Sequence, residues 1–165
     1  MLAALSLLWG FGLRINATAS MPRGIYRLAP GAPERGDLVS VCLEDGSFAT
    51  MALKRNYLRA GACPNGLEPL LKRVAGMPGD LLEIGQDGIA INGRLWPNSR
   101  AVSWDSHGRP MPEAENFGSR TIPDGLALVL SDRHPGGFDS RYFGLVPMAS
   151  LHKVEPVFLI APKGE

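Results

Sequence analysis

No stretch of this 165-residue chain is a block of like charge, and no apolar run is long enough for a full membrane span. The 17 basic and 16 acidic residues leave a net charge of +1, so electrostatics gives no reason to expect a nucleic-acid partner. Cysteine is scarce: Cys42 and Cys63 are the whole complement, and the three histidines, His107, His134 and His152, are scattered without ligand spacing. Such a set does not make a zinc site, so neither a metal nor another cofactor is expected. The two thiols either form one disulfide, if the domain meets an oxidising compartment, or stay buried and free. Internal repeats and low-complexity segments are lacking as well. The longest apolar run, Met1 to Leu13, falls short of the ~20 residues that a spanning helix needs. It also lacks the positive start of a cleaved signal sequence. It reads as a buried apolar segment or as the end of a membrane anchor.

What the chain does have in quantity is punctuation, with Gly 20 and Pro 14. Many short strands joined by turns use glycine and proline at that density, and helical bundles do not. Arg14 to Leu28 reads as extended chain around a turn. Asp37 to Leu43 alternates and ends at a Glu-Asp-Gly turn, which predicts a strand, with Phe48 to Met51 as its hairpin partner. Ala52 to Ala60 has helical spacing and stops at Gly61. Leu81–Ile84 and Ile89–Ile91 flank an Asp-Gly turn, the pattern of a hairpin, and Asn92-Gly93 closes a second turn. Residues 97–121 read as a surface excursion. Gly125–Ser131 and Val154–Ile160 are further strands. At 165 residues the chain is one domain by length, with apolar content enough for a core.

The chemistry is concentrated in three segments. Leu70-Leu71-Lys72-Arg73-Val74 sets a lysine among apolar side chains, just before the Met77-Pro78-Gly79-Asp80 turn. Such a lysine either snorkels to water or is held in the apolar site, where desolvation favours the neutral amine. A neutral lysine is a general base, and a base needs a nucleophile. Ser20 in Ser20-Met21-Pro22-Arg23-Gly24-Ile25-Tyr26 is the candidate. The third segment runs from Ser131-Asp132-Arg133 to Asp139-Ser140-Arg141-Tyr142-Phe143-Gly144.

These three boxes, in this order, resemble the type I signal peptidases, the serine–lysine leader peptidases. The Ser-Met-Pro-Arg-Gly-Ile-Tyr box and the Gly61-Ala62-Cys63-Pro64 stretch resemble the TraF-type conjugative transfer branch. The resemblance implies a mainly β fold, a coiled antiparallel β-sheet domain of the signal-peptidase/LexA-like type on an N-terminal membrane anchor. It favours the anchor reading of residues 1–13, with residues 14–165 as a single peptidase domain. It implies a serine endopeptidase of the bacterial inner membrane facing the periplasm. Its expected substrate is the pilin precursor of a conjugative type IV secretion system, and some members of that branch also close the pilin into a ring. Housekeeping removal of signal peptides, and an inactive scaffold of the transfer channel, are the alternatives.

By the same resemblance Ser20 is the nucleophile and Lys72 the base. Asp139 orients the lysine, and Arg141 stiffens the last box. The Ser20 N–H is one oxyanion donor, and Thr18 is either a second, hydroxyl donor or an ordinary strand residue. Met21, Ile25, Leu70 and Leu71 are expected to line the substrate pocket. Leader peptidases in general carry a serine two residues before the aspartate, where this chain has Gly137. The lysine is therefore expected to lack that partner. A Ser20–His134–Asp139 triad is the less favoured arrangement.

Overall fold

The computed structural model describes residues 12–18, 20–113 and 118–160. Among these residues, eleven short strands form two antiparallel sheets, a mainly β architecture that agrees with the glycine and proline content. The larger sheet holds seven strands. β1 (Leu13–Asn16) and β2 (Gly24–Leu28) form a hairpin at one edge, β11 (Leu151–Leu159) follows, and then β3 (Leu38–Val41). β4 (Leu70–Gly76), β9 (Leu126–Leu130) and β10 (Val146–Pro147) complete it. The smaller sheet orders β7 (Arg94–Leu95), β6 (Gly88–Ile91), β5 (Leu81–Gly85) and β8 (Ser119–Thr121). The expected hairpin is present, with Gly85 opposite Gly88, and the Asn92-Gly93 turn joins Ile91 to Arg94.

Two apolar clusters hold these sheets. One packs Val39, Val41, Leu70, Val74, Val129, Tyr142 and Leu151 together with the short helix α1 (Ser47–Lys54). The other joins Leu82, Ile89, Ile91 and Ile122 to Ala75, Leu128 and Leu130, so β4 and β9 contribute to both. Gly24 is required by space: a Cβ there would lie 2.1 Å from the Phe158 carbonyl, so only glycine lets β11 close onto β2.

Three expectations are corrected. Phe48 to Met51 is not a strand; it is the body of α1, and apolar side chains at helical spacing meet the core there. The helix expected over Ala52 to Ala60 stops at Lys54. Asn56 takes φ 57°, and the Tyr57 N–H bonds the Ala52 carbonyl while the Asn56 N–H bonds that of Leu53. That is a Schellman stop with asparagine in the left-handed position. A second helix, α2 (Ser140–Phe143), stands in the last box where none was expected.

Among the described residues no helix is long and apolar enough to cross a membrane. The anchor expected over residues 1–13 lies almost wholly outside them. Cys42 and Cys63 form a disulfide, which closes a loop around α1.

Candidate active site

Ser20 lies half-buried in the turn between β1 and β2. Asn16, the last residue of β1, is buried and holds that turn from inside. Its side-chain Nδ2 donates to the carbonyls of Met21 (3.0 Å), Pro22 (3.0 Å) and Thr18 (3.2 Å). Its Oδ1 accepts the Thr18 N–H at 3.1 Å and the Thr18 hydroxyl at 2.8 Å. One amide therefore fixes the chain on both sides of the serine. With its own proton on Asn16, the Thr18 hydroxyl accepts from Ser20 Oγ, 3.0 Å away. Tyr26 adds a second brace through its hydroxyl to the Pro22 carbonyl. Neither Asn16 nor Tyr26 was singled out from the sequence. The only signal was a polar residue at the end of a strand, a common cap.

Lys72 sits at the middle of β4, opposite Val39 of β3. Alternation along the strand puts Leu70 and Val74 on the face of Lys72, and Leu71 and Arg73 on the other. The lysine is 3% exposed, and burial lowers its pKa from 10.5 to about 8. The Asp139 carboxylate raises it and the Arg141 guanidinium lowers it, and both are lesser effects than burial. Leu70, Val74 and Val39 thus supply the dry surround that the lysine box suggested, while Leu71 does not.

Asp139 and Arg141 form an ion pair with 0% and 1% of their side chains exposed. Asp139 caps α2 and accepts from Arg141 Nε (2.8 Å), from Arg141 Nη2 (2.8 Å) and from the Ser131 N–H (2.9 Å). The rest of the guanidinium reaches the carbonyls of Asn98 (3.1 Å), Arg100 (3.1 Å), Gly137 (2.9 Å) and Pro135. Every polar atom of this buried pair has work to do, which is the condition for a buried ion pair to be tolerated. Arg141 therefore ties residues 98–100 to the 131–139 loop. Asp139 reaches Lys72 by its field, from within the pair. Next to this, Arg73 Nε binds Asp132 at 2.7 Å, and Phe138 packs against Phe48, Tyr57, Tyr142 and Phe143.

Of the four side chains expected to line a substrate pocket, only Ile25 is exposed. Met21 and Leu70 are packed inside, and Leu71 is half-buried on the far face of β4. Ile25 stands between Ile15 of β1 and Phe158 of β11 in register, and all three are exposed. Val157, Leu159 and Ile160 continue this apolar end of β11. His134 is exposed, and its Nδ1 accepts the Gly136 N–H at 2.9 Å, while Asp139 is engaged by Arg141 and Ser131. These contacts do not build a triad. Asp80 closes its own turn through the Met77 N–H and is bound by Arg35 and Asn92, so it is turn architecture. Among the described residues no group of three His, Cys, Asp or Glu side chains is placed to hold a metal.

The site residues thus comprise a serine in a pinned turn, a buried lysine in a strand and a buried ion pair whose charges act on that lysine. The family model for signal peptidase, peptidase S26, matches residues 9–158, and the chain belongs to that family. Its relatives narrow the branch. A conjugal transfer protein TraF from Agrobacterium fabrum is 37% identical over 154 residues, covering 92% of this chain and 85% of the relative. A plasmid transfer protein TraF from Escherichia coli is 33% identical over 143 residues, covering 87% and 80%. A signal peptidase I from Leptolyngbya laminosa is 26% identical over 139 residues, covering 84% of this chain and 58% of the relative.

Proposed function

We propose that this chain is a membrane-associated serine endopeptidase that cleaves the pilin precursor of a conjugative type IV secretion system, using a Ser20–Lys72 dyad. The observation that carries the reading is Lys72: a lysine buried in mid-strand with a pKa near 8, in a chain of the peptidase S26 family. A buried lysine costs stability, a strongly shifted pKa marks a functional-site candidate, and a base with a pKa near working pH serves proton transfer.

In the reaction, the Ser20 hydroxyl turns from Thr18 and attacks the scissile carbonyl. Its proton passes to the neutral Nζ of Lys72. The carbonyl oxygen becomes an oxyanion, stabilised by the Ser20 N–H and, once its proton leaves Asn16, by the Thr18 hydroxyl; such donors contribute about 3–4 kcal/mol each. The lysine then protonates the leaving amine and the acyl-enzyme forms. Water releases the acyl group in hydrolysis, and an amine of the pilin itself releases it as a ring.

The similarity to conjugal transfer proteins supports the pilin as substrate. The exposed row Ile15–Ile25–Phe158, whose first residue follows the apolar run 1–13 in sequence, supports a seat on the inner membrane, with the domain on the periplasmic side. The Cys42–Cys63 bridge agrees with that oxidising side.

The test is mass spectrometry of the pilin precursor incubated in membranes with the parent protein and with Ser20→Ala. Cleavage by the parent alone is the expected result, and a product one water lighter than the linear form marks ring closure. An intact pilin beside a processed Ala-x-Ala secretory precursor would transfer the activity to general signal-peptide removal. Failure on both substrates would leave a scaffold.

A further inference from the structure

Ser131, the residue after β9, is a buried group for which the scheme above has no use. It is fully buried, and its Oγ makes no hydrogen bond among the described residues. A buried hydroxyl left unpaired costs about 1–3 kcal/mol, so such groups are uncommon and point to a partner met during function.

Two placements identify the partner. The β4–β9 ladder pairs Val74 with Val129 and Arg73 with Leu130. The ladder ends there, and its register continued by one step brings Lys72 opposite Ser131. Opposed residues of an antiparallel pair share a face, with Cβ atoms about 4.5–5.5 Å apart, so a lysine side chain extends past its opposite number. The second placement concerns Gly137. Its φ lies outside the left-handed region, so its backbone accepts any residue. Space is what excludes a side chain: a Cβ on Gly137 would lie 2.2 Å from Ser131 Oγ, 2.7 Å from Ser131 Cβ and 2.8 Å from Arg141 Nη2. The hydroxymethyl group of Ser131 fills the volume that a side chain at 137 would take.

We propose that Ser131 is the positioning residue of Lys72: its Oγ accepts one N–H of the ε-amine and holds the nitrogen lone pair toward the Ser20 hydroxyl. The hydroxyl that leader peptidases in general carry two residues before the aspartate is here supplied from the neighbouring strand. The missing partner at Gly137 is therefore a relocated one. The surroundings agree, since the Ser131 N–H binds Asp139, whose field acts on Lys72. The assignment rests on the Ser20–Lys72 reading.

The test uses the full chain in detergent, a peptide with an Ala-x-Ala cleavage site, and ¹³Cε titration of Lys72 by NMR, which needs no turnover. Ser131→Ala is expected to lower kcat about tenfold, with KM held within about twofold. Loss of an acceptor for the ammonium is expected to move the Lys72 titration down by about one pH unit. Ser131→Ala with the parental titration overturns the proposal, whatever kcat does. Lys72→Ala separates the two readings. If it cleaves like the parent, the dyad fails; if it is inactive and Ser131→Ala behaves as the parent, only the Ser131 assignment fails.

Discussion

Replacing Lys72 with methionine removes a cation from the interior and keeps an unbranched chain of similar length. Burial holds the folded-state pKa near 8, against 10.5 for the ordinary side chain. The folded protein therefore binds this proton less tightly than the unfolded chain. Below pH 8 the difference costs the parent about 3 kcal/mol of stability. Between pH 8 and 10.5 the unfolded chain keeps a proton that the folded one has lost, so the cost shrinks as pH rises, and by pH 9.5 about 2 kcal/mol of it has gone. Lys72→Met should be inactive yet more stable than the parent, by about 3 kcal/mol at pH 7 and by about 1 kcal/mol at pH 9.5. Paired urea unfolding at the two pH values reads both numbers, and other titrating groups cancel in the difference. A variant less stable than the parent at pH 7, or an advantage that does not change with pH, would refute the reasoning. It would mean that Lys72 reaches water and keeps an ordinary pKa.

The same pKa sets the pH dependence of turnover. The neutral fraction of a base of pKa near 8 grows about fivefold from pH 7 to 8, so cleavage should rise by that factor and level off above about pH 9 in a pH–rate profile. Arg141→Met leaves the Asp139 carboxylate buried without its partner and should cost about 3–5 kcal/mol in thermal unfolding; a loss under about 1 kcal/mol would mean that water reaches the carboxylate. The Cys42→Ser, Cys63→Ser pair opens a loop with a sequence separation of 21 and should lower unfolding stability by about 3 kcal/mol, whereas an unchanged midpoint would mean that the bridge is unformed in solution.

The residues most readable in the sequence are those whose chemistry admits few substitutes. Ser20, Lys72, Asp139 and Arg141 stand in three spaced boxes, and an ammonium set between Leu70 and Val74 advertises burial. The hairpin at Leu81–Ile91 was also legible, because its turn and its alternation are local. Phe48 to Met51 misled because four residues fit a strand or one helical turn equally well, and the choice was made by the core they meet. The stop at Asn56 was hidden for a related reason, since a left-handed asparagine looks like any polar helix residue until its backbone bonds are seen. α2 is a single turn started by the Asp139 cap, too short to leave a period. Asn16 and Ser131 were illegible for another reason. A lone polar residue at a strand end carries no signal in itself, and the meaning of each comes from a turn or a register that brings distant residues together.

The burial of Lys72 also decides when its amine can lose a proton near neutral pH. In an unfolded chain, Lys72 is an ordinary cation with no lone pair to give. Its pKa falls toward 8 only when Val39, Leu70 and Val74 have closed over it. On the proposed reading, the base that activates Ser20 is a product of completed folding.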